Sequence, residues 1–371
     1  MKHNLTNIAV LKGDGVGPEV MRQAVKVLDA IKSKYGHDWQ YTYADIGAAA
    51  IDKYGEPFPV ETYDVCVEAD AILMGAIGDP KYDNDPAATV RPEQGLLSMR
   101  KALGLFSNIR PIRVHPKLAY MSPVKEEILR DVDFVVFREL TGGIYFGEKE
   151  KGNDMASDLC RYSRKEIERV AVLAYRMAQS RKQKMTLVDK ANVLESSRLW
   201  RDVVQKMSVE FPDVTTEYLF VDNAAMQLIL NPRQFDVVLC SNLFGDILSD
   251  EASVLVGSIG MLPSASRGAR HALYEPVHGS YPQAAGKDIA NPFAAVLSAE
   301  MMLRDFGYFS EADDVKNVVD FCLENGIATA DLDTEYACSC SQVGEMLAAL
   351  IEEGEHGIRW RKCKEGLSTI V

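Results

Sequence analysis

Short apolar runs alternate with amphipathic stretches along almost the whole chain, and this rhythm limits the fold more than any other feature. Ile8–Leu11 reads as a strand, and Pro18–Lys34 as a helix with Val20, Ala24, Val27, Leu28 and Ile31 at helical spacing. Ala71–Ala76 is a second strand, and Glu93–Leu103 a helix whose preceding Pro92 suits a first-turn position. Strands follow at Asp133–Phe137, Met185–Val188, Leu219–Val221 and Phe235–Cys240. Between and after them come helices at Lys165–Gln179, up to Leu230 before Pro232, and at Leu243–Val256. The last third is mainly helical, over Phe293–Phe306, Glu311–Asn325 and Ser341–Glu353. Such alternation predicts α/β layers around a largely parallel sheet. A chain of 371 residues exceeds what one core usually supports, so two domains are expected. No Gly/Ser/Pro-rich linker divides it, which favours crossing strands over a tether.

One stretch breaks the rhythm. Gly142–Glu148 followed by Asp158–Tyr162 reads as a hairpin arm without a covering helix, either pairing with another subunit or lying free on the surface. Charge narrows the partners. With 54 acidic and 41 basic residues the net charge is −13, which disfavours nucleic acid and anionic membranes. The first residues lack a signal-peptide layout and the apolar run there is too short to span a bilayer, so a cytoplasmic protein is expected. The seven scattered cysteines read as reduced, mostly buried thiols.

Several segments carry chemistry. Gly13-Asp14-Gly15-Val16-Gly17-Pro18-Glu19 follows a strand and opens a helix, but its spacing is G-x-G-x-G and not the G-x-G-x-x-G of a Rossmann turn. Arg100, Arg110 and Arg138 sit near the ends of predicted elements. They suit a clamp for a dicarboxylate, with internal ion pairs (Glu139 for Arg138) as the plainer alternative. Asp246 and Asp250 are four apart on a predicted helix and face one way; their mutual repulsion would be relieved by a divalent cation. Asp222, at the entry to the preceding helix, adds a third oxygen donor. Three carboxylates without a nearby His or Cys point to Mg²⁺ or Mn²⁺, and a solvated helix face with Asp222 as a cap is the bland alternative. Lys190 lies at a strand's carboxyl end, where open α/β sheets bind ligands, and Tyr145 is a candidate partner acid.

Together these segments resemble the β-decarboxylating dehydrogenase family of isopropylmalate, isocitrate, homoisocitrate and tartrate dehydrogenases. The resemblance runs from Gly13 to beyond Asn291. It is carried by Gly13–Glu19, Arg100 through Arg110-Pro111, Arg138–Gly147, Asp189–Val193, Asp222–Gln227, Asn242–Ser253 and Glu275–Pro292. It implies an α/β, two-domain isopropylmalate-dehydrogenase-like fold that is not Rossmann, with mixed central sheets flanked by helices and a dimerisation arm. One domain would be 1–105 plus 257–371, and the other 106–256. It implies a homodimer with shared active sites in which Arg100, Arg110 and Arg138 bind malate carboxylates and Tyr145 and Lys190 move protons. Asp222, Asp246 and Asp250 would hold Mg²⁺ or Mn²⁺, with Lys190 and Asp222 supplied by the partner subunit and Asp222 also meeting substrate. Glu275, His278, Gly279, Ser280, Gln283 and Asn291 would form the cofactor loop for NAD, with His278 near the adenine.

Specificity within that family turns on the helix carrying Arg100, where Glu93, Leu96 and Leu97 share its face. Two leucines suit an isopropyl group, because burying an unpaired carboxylate against them would cost roughly 2–7 kcal/mol. The alternative is that both are core. The expected reaction is therefore oxidative decarboxylation of 3-isopropylmalate to 4-methyl-2-oxopentanoate, a step of leucine biosynthesis. Tartrate/malate or homoisocitrate dehydrogenases are the nearest alternatives, and a non-catalytic regulatory subunit the different one. That subunit would be expected to have lost arginines or carboxylates that are all present here. Gln283 stands where NAD-linked relatives usually carry an acidic residue, and Tyr281 where they carry a small one. No Arg or Lys is present there for a 2′-phosphate.

Overall fold

The computed structural model describes residues 5–83, 89–333 and 337–354. Its strands, in chain order, are β1 (Asn7–Gly13), β2 (Gln40–Ala44), β3 (Ala71–Ala76), β4 (Ser107–Arg113), β5 (Asp133–Glu139) and β6 (Lys149–Lys151). There follow β7 (Ala156–Asp158), β8 (Lys184–Asp189), β9 (Thr215–Phe220), β10 (Val237–Cys240), β11 (Pro263–Arg267) and β12 (Ala272–Pro276). Two compact units divide the chain. The first holds residues 1–103, 258–265 and 271–371, and the second 104–257 and 266–270. The expected division broke the chain only twice; the return of 266–270 to the second unit follows from β11, whose last residues bond β4. There Asn108 Nδ2 donates to Ser266 Oγ at 3.3 Å and Phe106 N to the Arg267 carbonyl at 2.9 Å.

In the first unit the strands run in the order β2-β1-β3-β12-β11, with β1 parallel to β2 and β3, and β3 parallel to β12. All six residues of β3 are buried, the mark of a strand covered on both faces. Helix Gly17–Tyr35 lays Val20, Ala24, Val27, Leu28 and Ile31 inward and packs on helices Phe293–Asp305 and Cys340–Glu353. Each such aliphatic side chain, once fully buried, contributes on the order of 1.5–3 kcal/mol.

The second unit is mixed. Its strand order is β4-β5-β10-β8-β9, with β4 antiparallel to β5 and the remaining pairs parallel. Phe134, Phe137, Phe235 and Trp200 fill its core. Helix Arg164–Gln179 starts with a capping box, Ser163 and Glu166 exchanging bonds, and buries Ile167, Val170, Ala171 and Ala174. The arm is present but shorter than expected. Only β6 and β7 pair, all six residues exposed, while Gly143–Tyr145 forms a 3₁₀ turn instead of a strand. Among the described residues no helix is long and apolar enough to cross a membrane. The six described cysteines are thiols outside any disulfide, and of them only Cys160 is exposed.

Candidate functional site

Antiparallel register builds the first cluster. Asn108 on β4 stands opposite Arg138 on β5, and Arg110, two residues on, shares the Asn108 face. Asn108 Oδ1 accepts from Arg110 Nε at 2.8 Å, which orients that guanidinium. Arg138 is level with Cys240 on β10, and helix Asn242–Val256 begins two residues later. The two arginines therefore meet successive turns of that helix. Asn242 Oδ1 accepts from Arg138 Nε at 3.1 Å and Nη2 at 2.9 Å, and Arg138 Nη1 donates to Asp246. Arg110 Nη1 donates to Ser249 Oγ and Asp250 Oδ1, both at 2.8 Å. Gly245 makes the approach feasible, since a Cβ there would stand 2.7 Å from the Arg138 Cβ.

This geometry corrects two expectations. Asp246 and Asp250 are not an uncompensated like-charge pair, because each already faces an arginine. Nor does Arg138 pair with Glu139, since neighbouring strand residues point to opposite faces. Glu139, fully buried, instead accepts from Arg169, from Thr141 N and Oγ1, and from Gly142 N, and burial pushes its carboxyl upward. Those bonds hold the turn that delivers Tyr145. The Tyr145 hydroxyl donates to Asp246 Oδ2 at 2.8 Å, and burial followed by the Asp246 carboxylate raises its phenol above the usual tyrosine range.

A second cluster lies at the carboxyl ends of β8 and β9. Lys190 Nζ donates to Asp222 Oδ1 at 2.6 Å, which holds the Asp222 carboxyl below its ordinary range. Asp222 does not cap its helix; Phe220 occupies that position. Among the described residues of this one chain, no three His, Cys, Asp or Glu side chains are arranged to hold a metal ion.

The third cluster belongs to the first unit. The Asp14 carboxylate accepts from Ala48 N, Ala49 N and Gly78 N at 2.9, 3.1 and 2.9 Å, fastening the glycine-rich loop. Val16 N donates to the Ser280 carbonyl at 2.8 Å. Only glycine fits at 15, where φ is +57° and a Cβ would meet that carbonyl oxygen at 2.0 Å. Gly13–Glu19 thus packs against Ser280, a role its spacing alone did not reveal. His278 Nδ1 lies 2.9 Å from the Gly279 carbonyl, while its buried Nε2 has no hydrogen-bond partner, and burial holds the imidazole below its usual pKa. Asn291 binds Asp331 and caps Phe293 N; Gln283 is exposed.

Arg100, on helix Pro92–Ala102, donates through Nη2 to Glu275 Oε1 at 2.8 Å and so ties its helix to the 275–280 segment. Leu96 is half-buried and Leu97 is 51% exposed, so neither is core. The Glu93 carboxylate and the Ser280 hydroxyl both border Gly78. Four residues escaped the sequence reading: Asp14, Asn108, Asn242 and Ser249. Asn242 was the most accessible of them, one helical turn ahead of Asp246.

The isocitrate/isopropylmalate dehydrogenase family model matches residues 7–347. A 3-isopropylmalate dehydrogenase from Bacteroides fragilis is 53% identical over 328 residues, covering 88% of this chain and 93% of that protein. One from Bacillus subtilis is 52% identical over 356 residues, covering 93% and 97% respectively. Among solved structures, isocitrate dehydrogenase from Methylococcus capsulatus superposes with a TM-score of 0.82 at 32% identity, over 94% of this chain and all of that one. A β-decarboxylating dehydrogenase from Thermococcus kodakarensis gives 0.79 at 34% identity, over 94% and 96%. With a match this long, in motif order and in fold, the chain belongs to the isocitrate/isopropylmalate dehydrogenase family.

Proposed function

We propose that the chain catalyses the NAD-linked oxidative decarboxylation of 3-isopropylmalate to 4-methyl-2-oxopentanoate and CO₂, a step of leucine biosynthesis. The observation that carries the reading is the Asn242–Val256 helix, which gathers Arg110, Arg138 and Tyr145 on two carboxylates one turn apart. Relatives about half identical over nearly their whole length, each named 3-isopropylmalate dehydrogenase, support the same substrate.

The donor chemistry fits a hard cation. Asp246 and Asp250 offer oxygens that reach solvent, their side chains 33% and 69% exposed, and Asp222 of a second subunit would complete the set. Bound there, Mg²⁺ or Mn²⁺ supplies Lewis-acid polarisation of the substrate's C2 oxygen. For NAD, the unpartnered His278 Nε2 and the backbone of Gly279 and Ser280 offer a lining for the adenosine end, with Glu275, Gln283 and Asn291 around it. When bound, NAD would supply the oxidising power for the C2 carbinol.

The chain's own residues do the rest. Arg100, Arg110 and Arg138 exchange their present carboxylate partners for those of the malate core. Leu96 and Leu97 receive the isopropyl group beside Glu93. Lys190, once its ammonium has lost a proton to solvent, accepts the C2 hydroxyl proton as hydride leaves. The C3 carboxylate then departs as CO₂, its bonding electrons pass to the enolate, and Tyr145 protonates C3. Tyr145, held protonated by burial and by Asp246, is in the state this step requires.

A homodimer with shared sites follows from assigning Lys190 and Asp222 to the neighbouring subunit. Met226 and Leu230 on helix Val221–Leu230, and Ile247 on the next helix, are exposed apolar side chains suited to such an interface. The test is a panel of 3-isopropylmalate, isocitrate, homoisocitrate, malate and tartrate with NAD and NADP, with Mg²⁺, Mn²⁺ or EDTA. Turnover of 3-isopropylmalate with NAD, abolished by EDTA and restored by metal, is expected. A better substrate in the panel, or full activity after chelation, would overturn the assignment.

A further inference from the structure

One side chain touches both of the strand ends that lead to Lys190 and Asp222. Register sets Asp189, the last residue of β8, opposite Phe220, the last of β9. Arg201, on helix Glu195–Met207, grips the first and covers the second. Its Nε donates to Asp189 Oδ2 and its Nη2 to Oδ1, both at 2.8 Å, a two-pronged fork on a carboxylate only 2% exposed. Its guanidinium carbon stands 5.2 Å from the Phe220 ring centre and 5.4 Å from that of Tyr218.

The consequences fall on Lys190 and Asp222. Asp189 Oδ1 also accepts the Ala191 N–H at 3.0 Å, so the backbone is pinned on both sides of Lys190. The Lys190 N–H itself donates to Ser197 Oγ at 3.1 Å, on the helix that bears Arg201. Phe220 lies two residues before Asp222, and the Lys190 ammonium stands 5.9 Å from its ring centre. A planar guanidinium suits both tasks at once, because it forks a carboxylate while presenting a flat cationic face to aromatic rings. A lysine ammonium retains the charge and forfeits both geometries.

We infer that Arg201 is a positioning residue for proton transfer: gripping Asp189 and stacking on Phe220, it sets where the Lys190 amine and the Asp222 carboxylate stand relative to each other. The inference rests on the reading of Lys190 as the proton acceptor.

The test uses the full-length protein. Arg201→Lys leaves a cation for buried Asp189 and is expected to fold, with a thermal midpoint lowered by the lost second bond to Asp189. Its kcat should fall about 10- to 100-fold, the scale on which small misplacements of reacting groups act. KM for 3-isopropylmalate and NAD should hold, and the solvent deuterium isotope effect on kcat should rise as proton transfer becomes slower. If Arg201→Lys does not fold, the charge-neutral pair Asp189→Asn with Arg201→Met carries the same measurements. In a Lys190→Ala background, Arg201→Lys should reduce the residual turnover no further. Wild-type kcat in Arg201→Lys, or an equal proportional loss without Lys190, overturns the inference. An active Lys190→Ala enzyme is a different result: it removes the reading of Lys190, and the inference with it.

Discussion

Asp246→Asn tests the pairing geometry most directly, because repulsion and pairing predict opposite signs. If Asp246 and Asp250 merely repelled each other, removing one charge would leave the metal-free protein as stable as before, or more so. In the structure Asp246 accepts from Arg138 through one oxygen and from the Tyr145 hydroxyl through the other. Hydrogen bonds to charged groups contribute about 1.5–3 kcal/mol when sheltered and exposed ion pairs about 0–1 kcal/mol. The Asp246 side chain is one-third exposed, and Arg138 keeps both its bonds to Asn242. The expected loss is therefore about 1–2 kcal/mol. Urea unfolding of EDTA-treated protein, compared at equal m-value, reads it. A second readout is independent of stability. The Tyr145 phenol is held up by burial and then by Asp246, so the substitution should lower its pKa in a difference absorbance titration. Turnover should be lost in the same protein. A variant as stable as wild type with an unmoved tyrosine titration would refute the pairing described here.

Three further outcomes are expected. Leu96→Ser should narrow the kcat/KM preference for 3-isopropylmalate over isocitrate, and an unchanged ratio would remove Leu96 from the pocket. Lys190→Ala and Asp246→Ala subunits, each inactive alone, should regain about a quarter of wild-type activity when co-refolded, since one site of each mixed dimer is then intact. No recovery despite proven exchange would place each site within one chain. His278 is held below its usual pKa by burial, so the folded state takes up its proton later than the unfolded state. Stability is thus present above about pH 6.5 and lost as pH falls through the lower folded value; His278→Gln should flatten that part of the melting-temperature profile, and parallel profiles would contradict it.

What could be read from the sequence followed the strength of local pattern. The Ala71–Ala76 strand was expected at its observed bounds because an unbroken apolar run flanked by turns has few other uses. Helix Leu243–Val256 was expected one residue short. Four strands of the large sheet were missed, β2, β4, β11 and β12, two of them for opposite reasons. β2 (Gln-Tyr-Thr-Tyr-Ala) is an edge strand with little buried surface. Four residues of β11 are buried, but Pro-Ser-Ala-Ser-Arg carries no apolar signature. Site residues were legible where a charged side chain interrupted or ended an apolar element, as with Arg138 and Lys190. Their partners were not. The contact between Arg138 and Asp246 spans 108 residues of sequence, and nothing near Arg138 distinguishes it from the adjacent Glu139 as a partner. Strand alternation rejects that neighbour, once the strand is known to run through Glu139.

One pattern runs through every cluster and bears on how ligands enter. Each assigned cation is matched to a carboxylate: Arg100 to Glu275, Arg110 to Asp250, Arg138 to Asp246 and Lys190 to Asp222. The charges cancel within each pair, so the ligand-free protein carries no concentrated positive patch at these residues despite three arginines, and the acidic surface repels a free dicarboxylate. A divalent cation and a substrate dianion together preserve that neutrality; either alone leaves two uncompensated charges. On the proposed assignment, a cation drawing on Asp246 and Asp250 would release Arg138 and Arg110 for the substrate's carboxylates. Binding should therefore be coupled, and coupling is reciprocal: metal must tighten substrate by the factor by which substrate tightens metal. Titration calorimetry of 3-isopropylmalate with and without Mg²⁺, and of Mg²⁺ with and without 3-isopropylmalate, measures both sides of that cycle without turnover. Equal affinities in the presence and absence of the other ligand would show that the arginines bind substrate without first giving up their aspartates.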